Sequence, residues 1–192
     1  MPEHDPENPP TEDPRPAELR QAPSLVLVNT GNGKGKSSAA MGVMVRSVAR
    51  GWTVGVVQFL KSGTWNTGEE KMARQLGVDW WAIGEGFTWE SEDLSEDEAV
   101  AQRAWADAKA LIEGGEHRLV ILDEITYPMN WGWIDTAEVV ATVVGRPEKV
   151  NVVLTGRNAP TELIEVADTV TSMEPVKHAY EKGIRAKKGI DY

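Results

Sequence analysis

Residues 25–38 read L-V-L-V-N-T-G-N-G-K-G-K-S-S, an apolar run that leads into a glycine-rich loop. A helix-compatible stretch, residues 39–50, follows directly. A strand, a glycine-rich loop and a helix in this order are typical of a phosphate-binding P-loop. Glycine lets the backbone approach closely, so that successive N–H groups converge on phosphate oxygens beside a helix N-terminus. The segment therefore predicts a phosphate site.

The loop also supplies charge and a hydroxyl. Lys36 is expected to pair with phosphate, and the Ser37 hydroxyl to face a Mg²⁺ ion. The chain departs from the common pattern in having Thr30 in place of the first glycine and a second lysine, Lys34. The alternative is a glycine-rich turn with incidental lysines. The predicted phosphate-binding set is Thr30, Gly31, Asn32, Gly33, Lys34, Gly35, Lys36, Ser37 and Ser38.

A pair of acids follows a second apolar run. Residues 119–122 read L-V-I-L and lead into Asp123 and Glu124. An uninterrupted apolar run is typical of a strand covered on both faces, and ligands of open α/β sheets bind at the carboxyl ends of such strands. Either acid can hold Mg²⁺ directly or through water, so Ser37, Asp123 and Glu124 form the predicted metal set. A solvated loop after a core strand is the alternative.

Composition narrows the class of protein. The chain has 192 residues, 41% of them hydrophobic, which is enough for one substantial core. It has no cysteine and only three scattered histidines, which argues against disulfides, a thiol nucleophile and a histidine-rich metal site. A net charge of -10 argues against general affinity for nucleic acid. No apolar stretch is long enough for a membrane span or typical of a signal peptide, so we expect a cytoplasmic protein.

Residues 1–22 differ from the rest of the chain. They contain six prolines and six acids, and such a segment buries too little apolar surface to offset its ordering entropy. We therefore expect a flexible acidic N-terminal arm, followed by a single domain over residues 23–192.

Apolar runs and amphipathic stretches alternate through that domain. Strands are predicted at residues 25–28, 54–60, 78–83, 119–122, 150–155 and 169–173, and helices at 39–50, 67–76, 95–112, 135–145 and 160–167. Trp105 lies on an apolar stripe of helical period and is predicted to be core. The alternation predicts an α/β fold of the P-loop NTPase-like (RecA-like) kind, a mostly parallel sheet with helices on both faces.

Two aromatic segments do not fit a plain nucleotide hydrolase. Residues 84–89 read G-E-G-F-T-W and residues 126–133 read T-Y-P-M-N-W-G-W, both predicted as loops past strand ends. Aromatic loops near a phosphate site indicate a large, flat, apolar ligand. The alternative, for Trp131 and Trp133 above all, is that the rings cover the core or an interface. Residues 176–192 form a predicted extended tail whose cations can reach phosphates.

Several motifs together carry a resemblance to a known family. They are T-G-N-G-K-G-K-S at 30–37, V-V-Q-F-L-K at 56–61, G-E-G-F-T-W at 84–89, L-D-E-I-T-Y at 122–127, T-G-R at 155–157, V-K-H-A-Y at 176–180 and G-I-D-Y at 189–192. The chain resembles the corrinoid adenosyltransferases of the P-loop type from about Val26 to Tyr192.

The resemblance implies an enzyme that transfers the 5'-deoxyadenosyl group of ATP to Co(I) of cobalamin or cobyrinic acid a,c-diamide and releases triphosphate. It implies a role in adenosylcobalamin biosynthesis or salvage, Mg²⁺ or Mn²⁺ as the ion, a reduced flavoprotein as electron donor, and a homodimer. The implied catalytic residues are Lys36, Phe87, Trp89 and Glu124. Arg157 joins the ATP site, and Phe87, Trp89, Tyr127 and Trp131 are implied to bind the corrinoid.

Two other functions stay open on the residues alone. In a P-loop ATPase, Glu124 would orient water for attack on the γ-phosphate. A nucleotide-dependent corrinoid carrier would bind both ligands without turnover.

Overall fold

The computed structural model describes residue 11 and residues 18–60, 67–83 and 94–191. Six strands form one sheet: β1 Val26–Thr30, β2 Val54–Phe59, β3 Asp79–Ile83, β4 Leu119–Asp123, β5 Asn151–Thr155 and β6 Thr169–Ser172. The helices are α1 Lys36–Val48, α2 Gly68–Gln75, α3 Leu94–Gly114, α4 Thr126–Asn130, α5 Thr136–Val144 and α6 Thr161–Val166, and a 3₁₀ turn spans Ala179–Lys182. Most of the predicted acidic arm lies outside the described residues.

Every strand pairing in the sheet is parallel, and the strand order is β3-β2-β4-β5-β1-β6. The prediction of an α/β fold with a parallel sheet is confirmed. Parallel strands end at the same edge of a sheet, so the loop after β1 and the acids at the end of β4 share one edge. Strand β5 lies between them and adds its own carboxyl end, at Thr155, to that edge.

The apolar strands are covered on both faces because neighbouring residues of a strand point to opposite sides. Val26 and Val28 of β1 pack in one core cluster, which α3, α5 and α6 complete. Met41 and Met44 of α1 pack in the other, on the opposite face. Trp105 is buried in the first cluster, and its Nε1 donates a hydrogen bond of 2.8 Å to Glu138. Its prediction as a core residue is confirmed.

Two segments differ from the sequence prediction. Residues 126–133, predicted as a loop, begin with helix α4. Pro128 does not prevent this helix because it sits in the first turn, where its missing N–H costs nothing. The tail, predicted as extended, contains a 3₁₀ turn, because His178 and Glu181 form reciprocal capping bonds at its start. Elements of four or five residues are too short to leave a helical period in the sequence.

Among the described residues, no helix is long and apolar enough to cross a membrane.

Candidate functional site at the carboxyl edge of the sheet

The glycine-rich loop connects β1 to α1 in the predicted order. Gly31 and Gly35 have φ angles of 89° and 113°, in the left-handed region that glycine enters without strain. Gly35 is the N-cap of α1, so Lys36 and Ser37 lie in the first helical turn. Ser37 is half-buried there, while Asn32 and Ser38 are exposed. Two of the three loop glycines thus adopt a backbone conformation that other residues rarely adopt.

The segment after β6 packs directly on this loop. The Gly33 N–H donates a hydrogen bond of 2.7 Å to the Met173 carbonyl, and the Met173 N–H donates one of 2.8 Å to the Thr30 carbonyl. A Cβ at Gly31 would lie 2.5 Å from the Met173 carbonyl oxygen, and one at Gly33 would lie 2.8 Å from the backbone of Glu174. Gly31 and Gly33 therefore have to lack a Cβ because the backbone of residues 173 and 174 lies against them. The loop sequence alone does not reveal this reason.

Lys36 lies at the centre of the charged residues of the site. Its Nζ donates a hydrogen bond of 2.6 Å to the Gly33 carbonyl. Burial lowers the pKa of Lys36, and the nearby Arg157 guanidinium lowers it further, while Glu124 and Asp123 act in the opposite direction. The structure therefore brings together Lys36, Arg157 and both predicted acids.

Asp123 is fully buried and is oriented by donors from both neighbouring strands. Gln58 of β2 donates to its Oδ2 at 2.9 Å, and Thr155 of β5 donates to its Oδ1 at 2.7 Å. The Glu124 N–H donates to the same Thr155 hydroxyl at 2.9 Å, and Glu124 has a left-handed φ of 66°. Gln58 and Thr155 lie in the motifs V-V-Q-F-L-K and T-G-R, but neither was predicted to be a site residue, although both are polar residues near the ends of buried apolar strands.

The donor set suits a magnesium ion that also binds phosphate. Within the described ranges, no cluster of three or more acids, histidines or cysteines could hold a metal by itself. Mg²⁺ commonly uses one or two carboxylates and completes its shell with substrate phosphates and water. The hard oxygens of Ser37, Asp123 and Glu124 fit that mode of binding.

The loop after β5 positions Arg157. Thr126 Oγ1 and Asn130 Nδ2 of α4 donate to the Arg157 carbonyl at 2.6 Å and 3.2 Å. The hydroxyl of Thr30 accepts a hydrogen bond of 3.1 Å from the Ala159 N–H. Thr30, which stands in place of the usual glycine, thus ties the glycine-rich loop to the loop that carries Arg157.

Three aromatic rings follow the acids. The Tyr127 and Trp131 centroids are 5.9 Å apart, and those of Trp131 and Trp133 are 4.7 Å apart in an edge-to-face arrangement. Trp133 packs partly buried against the core, as the alternative interpretation of this cluster expects. Trp131, in contrast, is 42% exposed. Phe87 and Trp89 lie outside the described residues.

Comparison with known proteins places these motifs in one family. A family model described as ATP:corrinoid adenosyltransferase BtuR/CobO/CobP matches residues 22–192. A corrinoid adenosyltransferase from Sinorhizobium sp. is 45% identical over 172 residues, which cover 88% of this chain and 80% of the relative. One from Pseudomonas aeruginosa is 44% identical over 178 residues, 92% of this chain and 87% of the relative. One from Escherichia coli K12 is 39% identical over 180 residues, 94% and 91% of the two chains.

Proposed function

The chain belongs to the ATP:corrinoid adenosyltransferase family and adenosylates corrinoids with ATP, and from that premise we propose how its residues divide the work. The observation that carries the proposal is the position of Lys36, half-buried on the glycine-rich loop beside Arg157, Asp123 and Glu124. Two cations and two acids at one anion-binding loop suit a triphosphate and its metal ion.

In the proposed reaction the protein supplies no nucleophile. An electron pair of Co(I) forms the cobalt–carbon bond at C5' of ATP, and the C5'–oxygen bond breaks with its electrons leaving on triphosphate. Attack on carbon needs no proton transfer, so the side chains position the reactants and stabilise the leaving charge. Lys36 and Arg157 carry that stabilisation, and Lys34 adds a cation on the same loop.

Ser37, Asp123 and Glu124 would hold Mg²⁺ or Mn²⁺ against the triphosphate. A bound divalent ion neutralises phosphate charge and fixes the orientation of the chain of phosphates. The hydrogen bonds from Gln58 and Thr155 keep Asp123 in one orientation for that task.

The aromatic residues form the proposed corrinoid side of the site. The exposed ring of Trp131, with Tyr127 beside it, lies four to eight residues after Asp123, near the end of β4. Phe87 and Trp89 are proposed to displace the lower axial ligand of cobalt, as family resemblance implies. A dry aromatic face without a coordinating atom favours four-coordinate Co(II), which is easier to reduce.

Family analogy supplies the remaining parts of the proposal. The electron donor is a reduced flavoprotein, the enzyme works in the cytoplasm, and two copies of the chain form a homodimer. The substrate is cobalamin or cobyrinic acid a,c-diamide.

The test combines the purified chain with ATP, Mg²⁺ and chemically reduced corrinoid. The expected products are a corrinoid with a light-sensitive cobalt–carbon bond and inorganic triphosphate in equal amounts. ADP and phosphate without corrinoid alkylation would instead identify an ATPase, and binding of both ligands without turnover would identify a carrier. Running cobalamin and cobyrinic acid a,c-diamide in parallel compares the two substrates.

A further inference from the structure

The end of the described chain places a carboxylate on the glycine-rich loop. Asp191 forms an ion pair with Nζ of Lys34, although 157 positions separate the two residues in sequence. Lys34 lies between Gly33 and Gly35, in the loop proposed to bind triphosphate. The tail was expected to bring cations to the phosphates, and the contact that the structure shows is made by an acid.

A backbone turn holds this acid in place. The N–H groups of Ile190 and Asp191 donate to the Lys187 carbonyl at 3.0 Å and 2.8 Å. The Lys187 N–H donates in return to Asp191 Oδ2 at 2.7 Å, while Oδ1 faces Lys34. Gly189 allows the turn with a φ of 83°. The carboxylate is thus fixed by its own turn, and its side chain is 20% exposed against 53% for Lys34.

The charges of Asp191 and a bound triphosphate are alike, so both compete for the Lys34 ammonium. Exposed ion pairs are weak, because water and salt screen them and ordering two side chains costs entropy. A triphosphate carries several charges and reaches Lys36 and Arg157 as well, so it is the stronger competitor. Binding of triphosphate and the Asp191–Lys34 contact are therefore opposed.

We infer that Asp191 is a positioning residue of the glycine-rich loop. Its carboxylate pairs with Lys34 in the nucleotide-free enzyme, and bound triphosphate displaces the carboxylate from Lys34. The Asp191–Lys34 ion pair forms again as the triphosphate product leaves, and this favours product release. The inference rests on the proposed function of the loop and adds a residue from the opposite end of the chain. It predicts that removal of the Asp191 charge strengthens triphosphate binding. If Asp191 instead oriented Lys34 toward phosphate, the same substitution would weaken binding.

The test measures binding of inorganic triphosphate with Mg²⁺ to the full chain, without corrinoid, by isothermal titration calorimetry. Asp191→Asn keeps an oxygen that can accept from Lys187 and removes the charge, so the turn should persist. Triphosphate should bind this variant about two- to fivefold more tightly at low salt, and product inhibition during turnover should strengthen by the same factor. The gain should shrink as ionic strength rises and in a Lys34→Ala background.

Glu148→Gln is the matched control. It removes one negative charge from an exposed position just before β5, at the opposite edge of the sheet, and should leave the affinity unchanged. Equal or weaker triphosphate binding by Asp191→Asn overturns the inference. The proposed function is kept in that case if the wild-type chain binds triphosphate and Lys36→Ala weakens that binding. A wild-type chain that binds no triphosphate overturns both.

Discussion

The hydroxyl of Thr155 donates a hydrogen bond of 2.7 Å to Oδ1 of Asp123 across the neighbouring strands β5 and β4. The same hydroxyl accepts a hydrogen bond of 2.9 Å from the Glu124 N–H. One side chain therefore orients the buried carboxylate of Asp123 and the backbone of Glu124, the half-buried acid that follows it. The strand that separates the glycine-rich loop from the acids is thus part of the site.

Replacing Thr155 with valine preserves the shape of the side chain and removes both hydrogen bonds. A buried carboxylate and a backbone N–H would each lose a partner, so the free energy of unfolding should fall by about 1–3 kcal/mol. Chemical denaturation measures this loss, and adenosylation should fall in the same variant because Asp123 loses the hydrogen bond from Thr155 and keeps the one from Gln58. Thr155→Ser, which keeps the hydroxyl, should retain most activity. Thr171→Val on the exposed strand β6 is the control. If Thr155→Val proved as stable and as active as this control, the role assigned to Thr155 would be contradicted.

Replacing Lys36 with alanine removes the half-buried cation of the loop. Adenosylation should fall about 100-fold or more, because a charge that stabilises the leaving triphosphate is lost. Steady-state rates with chemically reduced corrinoid measure the effect. Lys71→Ala removes an equivalent charge from an exposed position on α2 and should be silent. Near-normal turnover by a folded Lys36→Ala variant would exclude the loop from the mechanism.

The lowered pKa of Lys36 predicts a loss of nucleotide affinity at alkaline pH. In the empty site, burial and Arg157 lower the pKa of Lys36 below its ordinary 10.5, whereas bound phosphate favours the charged form and raises it. Affinity for ATP should therefore be complete below the lowered pKa and decline as the pH rises through it. Titration of ATP binding against pH measures the decline. Lys36→Arg, whose guanidinium stays charged, should bind ATP with a flatter alkaline profile, and identical profiles would refute the assignment.

Substitution of Gly156 is expected to lower both stability and activity strongly. Its φ is 140°, and a Cβ there would lie 2.0 Å from Thr126 Oγ1, the hydroxyl that holds the Arg157 carbonyl. Gly156→Ala should therefore destabilise the fold by about 3 kcal/mol or more and reduce activity through Arg157. Gly51→Ala, at a φ of 72° with open space around it, carries backbone strain alone and should cost about 1–2 kcal/mol.

The clash can be separated from the strain by a double-mutant cycle. In a Thr126→Ala background the hydroxyl is absent, so Gly156→Ala should cost less than it does in the wild-type chain. Thermal unfolding of the four proteins gives the coupling energy. Strictly additive losses would show that Thr126 is not what the added methyl group meets.

The sequence was sufficient for the parts of the site that local patterns encode. Apolar runs predicted the strands because a doubly covered strand has no polar face, and the order of strand, glycines and helix predicted the loop that holds Lys36. The acids at 123 and 124 followed from the end of such a run. Each of these signals spans fewer than about 15 residues, which is the range over which hydrophobic periodicity carries information.

Long-range contacts left no such signal. Thr30 bonds Ala159 and Lys34 pairs with Asp191 across separations of 129 and 157 positions. The packing of Met173 on Gly31 also depends on β6 pairing with β1, which are the last and the first strand of the described residues. A glycine needed for a neighbouring backbone and one needed for a ligand look alike in a sequence.

The aromatic segment at residues 84–89 gives the last prediction. Replacing Phe87 or Trp89 with alanine should impair adenosylation strongly when the reaction starts from Co(II) with a mild reductant. The loss should be much smaller when Co(I) is supplied already made, because the proposed task of the rings is to remove the lower ligand before reduction. Trp52→Ala, which removes a ring stacked on Arg118 near the amino edge of the sheet, controls for loss of an aromatic side chain. Equal losses in both assays would mean that Phe87 and Trp89 bind substrate or support the fold and take no part in making cobalt reducible.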